Sequence, residues 1–389
     1  MIHSGIMPSV MLMLGIGVVV VVLWDVFETI VLPRRVTRKY RLTRLFYRYT
    51  WVSWAAVVQS VSVFRGRRQE TLLSYYGPFS LIFLLSLWAA GLIFGFALIY
   101  TGANSSLRVP DWMQPGLGAA LYTSGTNFFT LGLGDVTPLS PLARILTVAE
   151  AGLGLGLLAL VIGYLPSINQ SFSRREAKIS LLDARAGSPP TAAGMLVRQC
   201  HNSDLDALLK HFVEWEQWSA ELLESHLSYP VLAYFRSQHD NQSWISALTA
   251  ILDTSSLVIA GTEGPCARQA QLTFAMARHA VVDLALIFHS APLMIRHDRL
   301  SGVQFETLRI MLANAGIHLR QGEETELALT QLRESYEPYV YALSRYFRLA
   351  VPPWIPEAGR KDNWEKSAWR IRKGAKKTGR AVEGDDEHF

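Results

Sequence analysis

Three long apolar runs, at residues 10–32, 75–100 and 141–165, limit this 389-residue chain to folds that a bilayer accommodates. Each has about 23 residues or more. As a helix that length rises about 35 Å, enough for a hydrocarbon core of about 30 Å. Backbone groups inside lipid must be satisfied within the segment, so helices are expected at all three. Half of the residues are hydrophobic and 18% are charged, but the average conceals a division. After about residue 169 the sequence turns polar and periodic.

The formal net charge of +5 is clustered beside the apolar runs. Pro33 closes the first run, and Arg34, Arg35, Arg38, Lys39, Arg41, Arg44 and Arg48 follow without an intervening acid. Arg174, Arg175 and Lys178 follow the third run. Basic residues beside spans mark the cytoplasmic side, which places the N-terminus outside and the C-terminal half in the cytoplasm. Clusters of this kind meet anionic membrane lipids, and no nucleic-acid partner is expected. Residues 51–64 are apolar but rise only about 21 Å, so an interfacial helix is expected there, with Trp51 and Trp54 at headgroup depth. A tilted span is the alternative.

Between the second and third runs lies a segment apolar enough to sit at membrane depth. Residues 116–129 suit a helix of about 21 Å, which reaches only part of the way across. Thr130, Leu131, Gly132, Leu133, Gly134 and Asp135 then break it with alternating glycines. Non-helical backbone at that depth must be buried in protein or line a water-filled path, so a re-entrant loop is expected. A dehydrated cation needs a stack of oxygens in place of its hydration shell. Gly132 and Gly134 adopt positive φ without a Cβ penalty, which suits successive carbonyls turned toward one axis. Thr130 adds a hydroxyl as an inner ligand, Asp135 raises the local cation concentration, and the short helix points its negative C-terminal end at the ion path.

These residues, with their flanking runs, resemble the potassium-channel selectivity filter, whose family motif reads Thr-Val-Gly-Tyr-Gly-Asp. The resemblance covers residues 75–165: outer helix, pore helix, filter and inner helix. It implies a passive potassium channel whose ions bind at Thr130, Leu131, Gly132, Leu133, Gly134 and Asp135, with no cofactor or other metal. A filter needs four loops and the chain carries one, so the resemblance implies a homotetramer. Leu131 stands where the family has Val, and Leu133 where it has Tyr, as in the Gly-Leu-Gly filters of two-pore-domain potassium channels. Phe129 stands where Thr or Ser usually precedes the filter. A weakly selective cation channel is therefore the second reading, and a non-conducting membrane sensor or scaffold the third.

In the third run, Gly152, Gly154 and Gly156 suit either close packing of small residues or a gating hinge, for which Gly154 is best placed by the resemblance. Pro166 is expected to stop or bend the helix. Glu150 is an intramembrane acid, expected in a buried contact behind the filter rather than lining the pore. Asp25 and Glu28 share a face of the first run and are expected to pair with the following arginines. That run lacks a regular arginine series, so voltage gating is not expected.

From residue 180 the sequence reads as helices punctuated by prolines. Leu205, Leu208, Leu209, Phe212 and Trp215 mark one buried face. Cys200 and Cys266 match no metal-ligand spacing, and His279 with Asp283 has no second ligand pair. No P-loop, dinucleotide fingerprint or hydrolase motif occurs, so an enzyme is not expected.

The expected fold is an all-α membrane protein: a tetrameric potassium-channel pore domain with an additional N-terminal transmembrane helix and a cytoplasmic helical domain. Its parts are a transmembrane helix (1–33), a basic segment with an interfacial helix (34–74), the pore domain (75–166), a cytoplasmic all-helical domain (167–355) and a basic tail (356–389). A bacterial inner-membrane type of plasma membrane is the expected location.

Overall fold

The computed structural model describes residues 3–32, 41–60, 67–103, 107–200, 205–239, 241–293 and 298–357. Arg34, Arg35, Arg38, Lys39, Arg65 and the basic tail from Lys361 lie outside the described residues. Among the described residues the fold is all-α apart from one two-stranded ribbon, and the chain divides into two compact units. The first comprises Met1–Phe172 and Ser225–Arg236; the second comprises Ser173–Glu224 and Ser237–Phe389.

In the first unit, α1 (His3–Val26) ends in a π-helical turn, Phe27–Val31. It packs along α3 (Arg67–Gly102), the second long apolar helix. Glycines make the approach close. A Cβ on Gly15 would lie 2.7 Å from the Gly95 carbonyl oxygen, and one on Gly95 equally near Val19. Without a hydrophobic driving force between helices in lipid, such small-residue seams supply the packing.

Polar ties reinforce the seam. Buried Asp25 accepts from the backbone N–H of Thr43 at 3.2 Å, from the Thr43 hydroxyl at 2.5 Å and from Trp88 Nε1 at 2.9 Å. It thereby joins α1 to both α3 and the first turn of α2 (Leu42–Ser60). Its described partners are these neutral donors; Arg34, Arg35 and Arg38, among the arginines with which the sequence expects it to pair, lie outside the described residues. Glu28 does meet an arginine, Arg41, at 3.5 Å, and also accepts from Trp24 Nε1 at 2.8 Å.

Helix α2 begins nine residues before the expected interfacial segment, and Trp51 is enclosed by protein side chains. It is 2% exposed, packed edge-on against Tyr76 and Tyr234. The partner Tyr234 comes from Ser225–Arg236, a segment remote in sequence that belongs to this unit. Tyr234 ends a short 3-10 turn, Pro230–Tyr234, and also stacks on Tyr47 at 5.4 Å. Phe235 packs beside Gly77 and on Phe172, Tyr229 packs on Tyr164, and Arg236 pairs with Glu70 at 2.5 Å.

The third apolar run lies in α5 (Pro141–Ala186), which rises about 69 Å as a single helix. Pro166 does not stop it. Proline costs a helix interior about 3 kcal/mol, and here Tyr164 and Ile168, each buried, hold the helix on both sides of it.

The second unit is a helical bundle of the C-terminal part of α5, α6 (Ala192–Gln199), most of α7 (Asp206–Ser228), α8 (Trp244–Gly261), α9 (Pro265–Ile287), α10 (Gly302–Asn314), α11 (Glu323–Glu334) and α12 (Glu337–Phe347). Leu208, Phe212 and Trp215 form the buried face of α7, as their spacing predicts. Helix α8 is apolar enough to span a bilayer by composition. It is instead the bundle's core, covered by α6, α9, α11 and α12. A helix that is apolar all round must be enclosed by protein or by lipid, and here it is enclosed by protein.

Candidate functional site

The short helix after α3 is α4 (Leu117–Phe128), about 18 Å long. The next residues leave helical geometry in alternation: Thr130, Gly132 and Gly134 have φ of 54°, 55° and 79°. The two glycines accept this freely. For β-branched Thr130 the left-handed region is strained, a kind of outlier that concentrates at functional sites. Alternating left- and right-handed residues turn consecutive carbonyls toward one side of the strand, which a uniform extended strand does not do. The loop is tied to the end of α4 through Thr130 N–H to Asn127 O at 3.0 Å and Leu131 N–H to Thr126 O at 2.8 Å.

Leu131 and Leu133 are 61% and 62% exposed in the single chain, and Thr130, Gly132 and Gly134 are also exposed. Asp135 closes the loop, accepting from the Tyr122 hydroxyl at 2.6 Å and from its neighbour Val136 N–H at 2.9 Å. Beyond it, β2 (Thr137–Pro138) pairs antiparallel with β1 (Leu107–Arg108), which braces the return of the chain.

Behind α4 lies a polar cluster inside otherwise apolar packing. Glu150 of α5 is fully buried. It accepts from the Tyr100 hydroxyl of α3 at 3.1 Å and contacts the Ser124 hydroxyl of α4. Asn127 donates to Tyr100 Oη at 3.2 Å and approaches Thr147 Oγ1 at 3.4 Å, while Ser124 also reaches the Ile93 carbonyl at 2.8 Å. Glu150 is thus behind the loop, in the buried contact expected of it. Gly154, one turn further along α5, lies directly against the end of α4, where any Cβ would overlap the Phe128 carbonyl.

The sequence did not single out Tyr100, Tyr122, Ser124, Asn127 or Thr147. The available signal was polarity toward the protein interior: Ser124 and Asn127 lie three apart on a helix that carries no charged residue. Among the described residues no group of three or more histidine, cysteine, aspartate or glutamate side chains is placed to hold a metal ion. His279 and Asp283 face each other at 3.9 Å on an exposed part of α9.

Three comparisons with known proteins bear on this geometry. Residues 82–170, which include α4, the glycine loop and the first part of α5, match the family described as Ion channel. The chain is 29% identical over 187 residues to the uncharacterized membrane protein YdjJ of Bacillus subtilis (strain 168). That alignment covers 47% of this chain and 52% of the relative, so the chain spans about half the length of the curated relative it matches. No solved structure matches. The chain is an all-α, multi-pass membrane protein in which residues 82–170 are similar to an ion-channel domain.

Proposed function

We propose that four copies of this chain form a potassium-selective channel whose ions pass between four glycine loops. The observation that carries the reading is the alternation of left-handed residues at Thr130, Gly132 and Gly134, set at the end of a helix too short to cross the membrane. Such backbone suits oxygens that replace a cation's hydration shell. Residues Thr130 to Asp135 are the proposed ion-binding set, with Leu131 and Leu133 supplying carbonyls rather than side chains. Helix α5 supports the tetramer. It leaves Ile145, Val148, Leu155, Leu158 and Ile162 largely uncovered, a face suited to neighbouring subunits and lipid. The basic clusters after the first and third runs support an outside N-terminus and contact with anionic lipids of a bacterial-type plasma membrane. The hinge expected at Gly154 belongs to this reading too, although the contact with Phe128 favours close packing there.

Liposomes containing purified protein should take up potassium in preference to sodium. Gly132→Ala, which places a Cβ on a left-handed residue, should abolish flux while the oligomer remains intact. Equal potassium and sodium fluxes would favour the weakly selective reading, which Leu133 and Phe129 support because neither carries a hydroxyl to tether the loop. No flux from the intact oligomer under any condition would favour a sensor or scaffold.

A further inference from the structure

We propose that Glu150 is the positioning residue of the glycine loop, holding α4 in place from behind so that ion selectivity depends on it. The inference rests on the channel reading above and adds to it the source of the loop's rigidity.

The loop itself offers few side chains that can fix it. Phe129, Leu131 and Leu133 have no hydrogen-bonding groups, and Asp135 is committed to Tyr122 at the loop's far end. What fixes the near end is α4, through the amides of Thr130 and Leu131 bonded to Asn127 O and Thr126 O. Any shift or rotation of α4 therefore carries the loop with it.

Helix α4 in turn is fixed on its buried face. Glu150 reaches across to Ser124 of α4 and to Tyr100 of α3, so one carboxyl joins the three helices around the loop. Asn127, the residue whose carbonyl holds Thr130, donates its side-chain amide to the same Tyr100 hydroxyl. Thr147 completes the group on α5, 3.2 Å from Tyr100 Oη. A carboxyl in a lipid-embedded interior is costly unless its oxygens are bonded. The arrangement therefore has one low-energy geometry, and departures from it leave a buried acid unpartnered. Helix α4 carries no charged residue of its own, so the carboxyl that ties it comes from α5, beside the Asn127–Tyr100 and Ser124–Ile93 contacts with α3.

The test uses full-length protein in lipid nanodiscs and liposomes, with Glu150→Ala, Glu150→Gln, Tyr100→Phe and Ser124→Ala. Backbone hydrogen exchange of residues 126–136 is read by mass spectrometry, and potassium and sodium fluxes are read separately. Glu150→Ala should speed exchange in the loop about ten-fold, as expected for losing buried hydrogen bonds, and should lower the potassium-to-sodium flux ratio. Glu150→Gln keeps a carbonyl acceptor and an amide donor and should rescue both. If Glu150→Ala fails to assemble, Tyr100→Phe and Ser124→Ala must each show smaller changes of the same kind. Unchanged loop exchange in every assembled variant would overturn the proposal. Wild-type protein that carries no flux at all would instead remove the channel reading, and loop exchange would still decide whether Glu150 positions the loop.

Discussion

Buried acids in the two units meet different company. In the membrane unit, Asp25 and Glu150 are bonded by Thr43, Trp88, Tyr100 and Ser124, all uncharged donors on neighbouring helices. In the helical unit, Asp253 in the centre of α8 receives both arms of Arg299 at 3.1 and 2.6 Å and the Tyr336 hydroxyl at 2.6 Å. Arg299 also bonds Glu337 and the Pro352 carbonyl, and Arg333 joins Glu337 to Asp298. Both guanidinium groups lie over the Trp354 ring at 5.5 Å. A helix pair in lipid is joined by a neutral hydrogen bond that desolvates few donors. A guanidinium has five donors to satisfy, and in the bundle Asp253 from mid-helix is joined by Glu337 at the start of α12 and the Pro352 carbonyl in doing so. Asp25 and Glu150 thus join helices through neutral donors, whereas Asp253 and Glu337 stabilise a buried cation; Glu28, beside Arg41, is the exception in the first unit.

The largest expected consequence of the difference is at Arg299. Arg299→Leu leaves Asp253 buried without a cation and should cost the helical unit about 3–5 kcal/mol, read as a lower denaturation midpoint by tryptophan fluorescence. Replacing Asp253 and Arg299 together by leucine should cost less than the single change, and an equal or greater loss would break the contrast. Next in size is a pH effect confined to the helical unit. Burial, with Arg185 and Lys178 nearby, pushes His211 down to about 3. Its Nδ1 lies 2.8 Å from Arg185, which can only donate. The unfolded chain takes up a proton below about pH 6.5, whereas the folded one does not. The stability from this residue is therefore complete above about pH 6.5 and falls as the pH approaches 3. About 2 kcal/mol should be lost by about pH 5, and His211→Phe should remove that pH dependence. The smallest effect is expected at Asp25. Asp25→Asn retains one acceptor oxygen among neutral partners, so the detergent-solubilised protein should lose about 1 kcal/mol. A loss as large as that of Arg299→Leu would show that charge, rather than hydrogen bonding, ties α1 to α3.

The spans and the loop were legible because their signals are local. Apolar length, basic flanks and alternating glycines each act within one segment, and the positive φ of Gly132 and Gly134 follows from their lack of a Cβ. The partners of buried polar groups were not legible. Asp25 meets Trp88, 63 positions away, and nothing in the residues around either one announces the other. Trp51 has the composition of a headgroup anchor, yet Tyr234 covers it. At Pro166, expected to stop or bend the helix, α5 continues, because the local cost of proline is offset by contacts at Tyr164 and Ile168 that sequence does not display. For the candidate site, the positive φ of Gly132 and Gly134 could be read from the sequence, whereas the support from Tyr100, Ser124 and Asn127 could not.

The membership of Ser225–Arg236 in the membrane unit makes the chain's two halves inseparable by a single cut. A chain truncated after Phe172 would keep every apolar run but lose Tyr234, Phe235 and Arg236, leaving Tyr47, Trp51 and Tyr76 without their cover and Glu70 without its partner. Exchanging the helical half for that of another protein would strip away the same segment. Inheritance of this membrane unit without its own helical half would therefore require those residues to be transplanted with it.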